Sequence, residues 1–175
     1  MNTNKLVPGS RFPSMTLPSV AGEDITLGGV EDTSEQWHLV VVYRGKHCPI
    51  CKRYLTTLEE LLPELNQAGI EVVAVSGDGM SKAKTFAEEG GYSFPIVYDL
   101  AVPQMEDLGL YVSDPRSPQE TDRPFPEPGL FAVRPDGSVQ IVDISNAPFS
   151  RPDLKSILNG IKFIKDKDYP IRGTH

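Results

Sequence analysis

The chain has 175 residues, 39% hydrophobic and 23% charged, which suits one folded domain and points to neither a disordered tail nor a membrane protein. Its formal charge of −7 argues against a nucleic-acid binder, which needs a surplus of Lys and Arg to displace counterions. Two cysteines, beside 16 prolines and 15 glycines, can neither staple a secreted mini-domain nor complete a four-cysteine zinc site.

The opening segment from Met1 to Met15 has no apolar run of signal-peptide length and no small-residue cleavage site. No stretch reaches the ~18 apolar residues of a membrane span. The expected setting is therefore the cytoplasm, where paired cysteines are catalytic or metal-binding more often than structural.

Leu6 to Ala21 reads as an extended segment punctuated by Pro8, Pro13 and Pro18, with short strands expected at Met15–Leu17 and Ile25–Leu27. A polar loop spans Gly28 to Gln36. His38-Leu-Val-Val-Val-Tyr43 then gives an apolar run without alternation, the pattern of a strand buried on both faces. A helix is predicted from Cys48 and Pro49, because proline suits the first helical position. Cys51, Leu55, Leu58, Leu62 and Leu65 draw its apolar face, Pro63 is expected to kink or divide it, and Gly69 to end it. Ile70–Ser76 is a second buried strand, so the cysteines sit at the strand-to-helix junction of a βαβ unit.

Ser81–Glu89 reads as a helix stopped by Gly90-Gly91, Phe94–Tyr98 as a short extended segment, and Val102–Gly109 as one or two helical turns. Residues 115–128 are proline-dense, fitting either a disordered linker or an ordered surface connection. Leu130–Val133 and Val139–Ile144 form a hairpin around Arg134-Pro-Asp-Gly137. Ser150-Arg-Pro-Asp153 starts a last amphipathic helix carrying Leu154, Ile157, Leu158, Ile161 and Ile164. This order predicts a single α/β domain over 1–175 with a thioredoxin-like fold: a central mixed sheet, helices on both faces, and an N-terminal β-hairpin.

The chemistry concentrates at Cys48-Pro-Ile-Cys51. A working cysteine reacts as its thiolate, and a helix N-terminus favours that charge. The window 44–53 also holds Arg44, Lys46, Lys52 and Arg53 with no Asp or Glu, a local reversal of sign in an acidic chain. Residues i and i+3 share a helix face, so Cys51 can close a disulfide with Cys48. Cys48 is expected to be the exposed attacker and Cys51 the apolar-side resolver. The pair fits inert core cysteines poorly, and half a zinc site more poorly still, because only His38, His47 and His175 are available. No metal is expected. His47 is either an exposed neighbour or a group that tunes Cys48.

Val41-Val-Tyr-Arg-Gly-Lys-His-Cys-Pro-Ile-Cys51 resembles the active-site segment of the peroxiredoxin-like branch of the alkyl hydroperoxide reductase and thiol-specific antioxidant family. Phe12-Pro13 through Leu27, Ser93–Asp99 with Leu108-Gly109, and Gly129–Val133 with Pro135-Asp-Gly137 resemble other segments of it. The similarity runs from about Leu6 to Lys165. It implies an antioxidant oxidoreductase with no cofactor, a hydroperoxide or disulfide substrate, a thioredoxin- or glutathione-type reductant, and compatibility with a homodimer.

Two family features are absent. The Pro-x-x-x-Thr-x-x-Cys signature is replaced by Val41 and Gly45 at the Pro and Thr positions, and the Arg usual before the Gly-Leu-Phe strand is replaced by Pro128. Pro128 resembles instead the cis-proline that faces the cysteine pair of thioredoxins, so a cis Glu127–Pro128 bond is expected. Thioredoxins usually bury a carboxylate in the strand before the motif, and Leu39–Tyr43 holds none. Arg44 is the candidate to replace the missing Arg. Three functions follow: a peroxidase with Cys48 attacking and Cys51 resolving, a thioredoxin-type protein-disulfide oxidoreductase, or a non-enzymatic redox-sensing interaction module. Arg44, Lys46, His47, Pro49 and Pro128 are the candidate substrate-binding or thiolate-tuning residues, and the peroxidase is the leading reading.

Overall fold

A run such as His38–Tyr43 must be covered on both faces, and the computed structural model, which describes residues 5–29 and 35–175, places it at the centre of a five-stranded sheet. In chain order the elements are β1 (Thr16–Pro18), β2 (Asp24–Thr26), β3 (Trp37–Val42), α1 (Pro49–Gln67), β4 (Ile70–Val75), α2 (Met80–Gly90) and β5 (Ile96–Val97). There follow α3 (Val102–Asp107), β6 (Val112–Ser113), β7 (Phe125–Pro126), β8 (Gly129–Val133), β9 (Val139–Ile144) and α4 (Leu154–Lys167). The central sheet runs β5-β4-β3-β8-β9, parallel from β3 to β5 and antiparallel through β8 and β9. This is the expected mixed thioredoxin-like sheet. β1 and β2 form the N-terminal hairpin, one residue away from the predicted strands. The predicted loop at 28–36 lies partly outside the described residues.

Strand side chains alternate faces, and here both faces are apolar. Leu39, Val41 and Tyr43 of β3 and its end join Ile70, Val72 and Ala74 of β4 in a core under α1, α2 and α4. Val40, Val42, Val73 and Val75 point the other way, into a core closed by Phe12, Met15 and Leu17 of the N-terminal segment and Met105 of α3. α1 contributes Cys51, Leu55, Leu58, Leu62 and Leu65, all buried. Fully burying one leucine stabilises by ~1.5–3 kcal/mol, so this stripe holds the N-terminus of α1 firmly against the sheet.

One expectation is corrected, and one of two open readings is borne out. Pro63 does not divide α1, which continues to Gln67. The ring lies on the exposed face, away from the apolar stripe packed on the sheet, where a proline disturbs the helix least. The proline-dense stretch is an ordered connection rather than a linker: β7 pairs with β6, and Thr121, Phe125, Glu127 and Pro128 are buried. Among the described residues no helix is long and apolar enough to cross a membrane.

Candidate active site

The end of β3 delivers the chain into Tyr43–His47, and α1 begins at Pro49. Cys48 is the N-cap, with extended backbone at φ −110° and ψ 99°. Its Sγ accepts the Cys51 N–H at 3.2 Å. An N-cap normally offers oxygen to this donor. Here sulfur occupies the place, and the first-turn dipoles of a 19-residue helix point at it. The two sulfurs lie at disulfide distance, with Cα atoms 5.3 Å apart. Cys51 is on the apolar face, as expected. Cys48, expected to be exposed, is instead buried, 2% exposed, with its sulfur over the first turn of α1 where it accepts the Cys51 N–H.

The turn before Cys48 is fixed from the loop that follows β4. Asp78 is 3% exposed and its Oδ2 accepts the Lys46 N–H at 2.8 Å. Gly45 has φ +139°, and a Cβ there would stand 2.8 Å from Asp78 Oδ1, so both backbone and space require glycine. Burial raises the pKa of Asp78, opposed mainly by the Lys46 N–H. A carboxyl with a raised folded-state pKa contributes stability fully present below its unfolded value and lost as pH rises through the folded value. Asp78→Asn keeps an oxygen for Lys46 without a charge to desolvate. Urea denaturation is expected to show it more stable than wild type at pH 7, with the gap closing as pH approaches 4. A variant less stable at pH 7 would show that ionised Asp78 is a net support of the turn.

A second group gathers from β6, β7 and the residues after it. Glu127 is 3% exposed, and its Oε2 lies 3.0 Å from Arg44 Nε. Ser113 Oγ donates to Glu127 Oε1 at 2.9 Å. Arg44 Cζ stands 4.9 Å from the Phe125 ring centroid, and the His47 ring meets the same Phe125 edge-on at 4.6 Å. Both His47 ring nitrogens are shielded from solvent and have no hydrogen-bond partner among the described residues. Burial, then Arg44, lowers the His47 pKa, so the ring is neutral at pH 7. His47 is therefore not the exposed neighbour allowed by one sequence reading.

The third contribution comes from the loop before α4. Arg151 Nη2 donates to Cys51 Sγ at 2.7 Å. Its Nε donates to the Pro148 carbonyl at 2.6 Å, and its Cζ lies 5.0 Å from the Tyr54 ring centroid. Burial pulls the Arg151 pKa down to about 10, leaving the guanidinium charged at pH 7. The cation at the sulfurs is thus Arg151, while Arg44, the sequence candidate, is held by Glu127. Lys52 also spends its charge elsewhere, 3.5 Å from Glu89. Lys46 is exposed, and its ammonium has no partner among the described residues.

The cis bond expected at Glu127–Pro128 is not formed; every peptide bond among the described residues is trans. Backbone groups on either side of it are already used, since Glu127 N–H donates to the Tyr111 carbonyl at 2.8 Å and Ser145 N–H to the Pro128 carbonyl at 3.1 Å. With those bonds made, an extended trans chain satisfies the β7–β8 connection. Pro128 shares a small cavity with Tyr54 and Arg151.

The model of the AhpC/TSA family matches residues 8–142, more than half of the chain. The chain belongs to the AhpC/TSA family. Among relatives, Rv2521 of Mycobacterium tuberculosis, classed by name with the peroxiredoxins, is 30% identical over 97 residues, 55% of this chain and 60% of its own length. The chain thus spans less than two thirds of that relative. Peroxiredoxin Bcp of Escherichia coli is 30% identical over 108 residues, covering 62% of this chain and 67% of Bcp. Thiol-disulfide oxidoreductase ResA of Geobacillus thermodenitrificans is 27% identical over 164 residues, 88% of this chain and 78% of ResA. The fold matches a peroxiredoxin 6 structure from Arenicola marina with TM-score 0.78 at 20% identity, over 93% of this chain and 75% of that one.

Around the cysteine pair of this AhpC/TSA family member stand Asp78 beneath the turn at Lys46, Glu127 against Arg44 and Arg151 at Cys51. Sequence reasoning missed Asp78, Glu127 and Arg151. Each carried a faint signal: an acid between glycines after a buried strand, an acid between prolines, and an Arg in a segment read only as a helix start.

Proposed function

We propose that the protein is a thiol peroxidase of peroxiredoxin type. The Cys48 thiolate attacks a hydroperoxide: an S–O bond forms, the O–O bond breaks, and the departing alkoxide or hydroxide takes a proton from solvent. The Cys51 thiolate then attacks the Cys48 sulfenic sulfur, forming the S–S bond as the S–O bond breaks, and the departing hydroxide takes a proton from solvent to leave as water. The observation that carries this reading is Cys48 Sγ in the N-cap position of α1, at disulfide distance from a Cys51 held by Arg151. In that role Pro49 starts the helix, while Arg44, Lys46 and His47 line the approach and Pro128 backs Arg151. The reading uses no cofactor, a reducing cytoplasm, and one domain over 1–175 that works alone or as a homodimer.

Protein-disulfide exchange remains the second reading, favoured by the Cys-x-x-Cys spacing and the likeness to ResA. Against it, the trans Pro128 and the internally bonded backbone around it leave little to pair with a substrate peptide. A redox-sensing module would use the same disulfide without turnover. Hydrogen peroxide consumption and insulin-disulfide reduction, measured on one reduced preparation, separate the three. Turnover with peroxide and not with insulin is expected; the reverse would replace the peroxidase by the oxidoreductase, and neither would leave the sensor.

A further inference from the structure

The loop before α4 is held in place with little apolar burial. No side chain from Ser145 to Asp153 is buried, and Phe149 is 78% exposed. Polar contacts anchor it instead. Tyr54 donates its hydroxyl to the Pro152 carbonyl at 2.7 Å, Ser145 Oγ donates to the Ala147 carbonyl at 3.1 Å, and the Ser150 N–H donates to that same carbonyl at 3.2 Å. Among the described residues, its hydrogen-bonded link to the cysteine pair is Arg151, which joins the Pro148 carbonyl to Cys51 Sγ. A segment with few buried apolar contacts opens at low free-energy cost, so one charged contact can decide how often it does.

Arg151 brings a charge with no acid to meet it. Its Nη1 is shielded from solvent and has no hydrogen-bond partner, and no carboxylate lies within ion-pair distance of the guanidinium among the described residues. Glu127 is taken by Arg44 at 3.0 Å, and Asp143 only shares the small cavity beside Arg151. The group at Nη2 that can carry negative charge is Cys51. A shielded cation without an anion is costly, and supplying the anion offsets that cost. As a thiolate Cys51 supplies it; as half of a disulfide it cannot.

We propose that residues 145–153 form a redox-dependent latch, clamped by Arg151 on the Cys51 thiolate in the reduced protein and released when Cys48 and Cys51 join. The inference rests on the redox pair of the proposed function and adds regulation to it. In the oxidising step two electrons pass from the two thiolates to the O–O bond of the hydroperoxide, and the departing oxygens take protons from solvent. The S–S bond forms, and the guanidinium loses its anion. An opposite charge at this distance favours the ionised thiol by about tenfold or more, and linkage requires the same factor in the opening equilibrium of the loop. The state of two buried sulfurs is thereby expressed at the surface, where Phe149 stands. The sign is diagnostic. A cross-link ordinarily tightens a fold, whereas this one loosens the loop beside it.

Chymotrypsin cleavage after Phe149 reads the opening, with cleavage after Tyr111, 54% exposed in another segment, as internal reference. The protein is oxidised with diamide or reduced with dithiothreitol, desalted without air, and cut at neutral pH while mass spectrometry times the fragments. Cleavage after Phe149 is expected about tenfold faster in the oxidised protein, with the Tyr111 rate unchanged. Arg151→Met should remove the difference between the two states. Cys51→Ser, which has neither thiolate nor disulfide, should be cut at the oxidised wild-type rate under both conditions. By reciprocity, Arg151→Met should also shift the equilibrium with a dithiothreitol buffer about tenfold toward the disulfide. Equal or slower cleavage of the oxidised wild type, a difference kept in Arg151→Met, or Cys51→Ser cut at the reduced wild-type rate overturns the proposal. Such a failure leaves peroxide-driven oxidation intact. Failure of the peroxidase reading appears in the reaction with peroxide, while the diamide-oxidised protein still reports on the latch.

Discussion

Cys48→Ser is expected to lose peroxide reactivity by ~10³-fold or more, the scale seen when a covalent nucleophile is removed. Serine can still cap α1, so the fold should survive and the loss should be chemical. Cys51→Ser has a different signature. The attacking sulfur, its place at the helix N-terminus and the Cys51-position N–H that it accepts all remain, so the first oxidation is expected within about tenfold of wild type. The product should then stop at a Cys48 sulfenic acid, trapped by a dimedone-type reagent, and pass to sulfinic acid under excess peroxide. Rapid-quench mass spectrometry reads both variants. A reactive Cys48→Ser and an inert Cys51→Ser would exchange the two assignments.

Arg151→Met has the second large effect. The guanidinium lies 2.7 Å from Cys51 Sγ, close enough to favour the charged form of the thiol. An opposite charge at such distance typically shifts a pKa by ~1–3 units. Measured in the Cys48→Ser background by ultraviolet thiolate absorbance, the Cys51 pKa is expected to rise by that amount when Arg151 becomes Met. Disulfide closure in the otherwise native protein should slow at neutral pH, because less Cys51 is thiolate, and should recover as pH rises. Methionine keeps much of the contact with Tyr54, and the thiol titration reads a change that lost packing alone would not cause. A shift below about half a unit would reduce Arg151 to a packing residue.

Much of this site was legible because its signals are local. Proline at the first helical position, cysteines three apart and leucines at helical spacing fix where α1 begins and which side Cys51 takes. The unbroken apolar run of β3 likewise predicts a strand covered on both faces. Pro63 misled because its cost depends on which face it occupies, and on the exposed face a proline disturbs the helix least. Pro128 misled because the isomer of an X-Pro bond is set by the surrounding bonds, here Tyr111 to Glu127 and Pro128 to Ser145.

Arg151 was out of reach for another reason. It lies 100 residues beyond Cys51 in the chain, and only the antiparallel β8–β9 return and the Asp153 cap of α4 bring it back. The basic window around Cys48 was real in sequence, but Glu127 and Glu89 take two of its charges once the chain folds. Local composition counts cations; which of them remain unpaired is a property of the fold.

In the proposed reaction Cys48, at the start of α1, is a thiolate matched to peroxide, with Cys51 as its resolver. The direct measurement mixes fully reduced protein with one equivalent of hydrogen peroxide in a stopped-flow and identifies the product by mass spectrometry. The account predicts oxidation well above that of a free thiol with the same thiolate fraction, ending in the Cys48–Cys51 disulfide. Oxidation at the free-thiol rate, or a product without that disulfide, would contradict it.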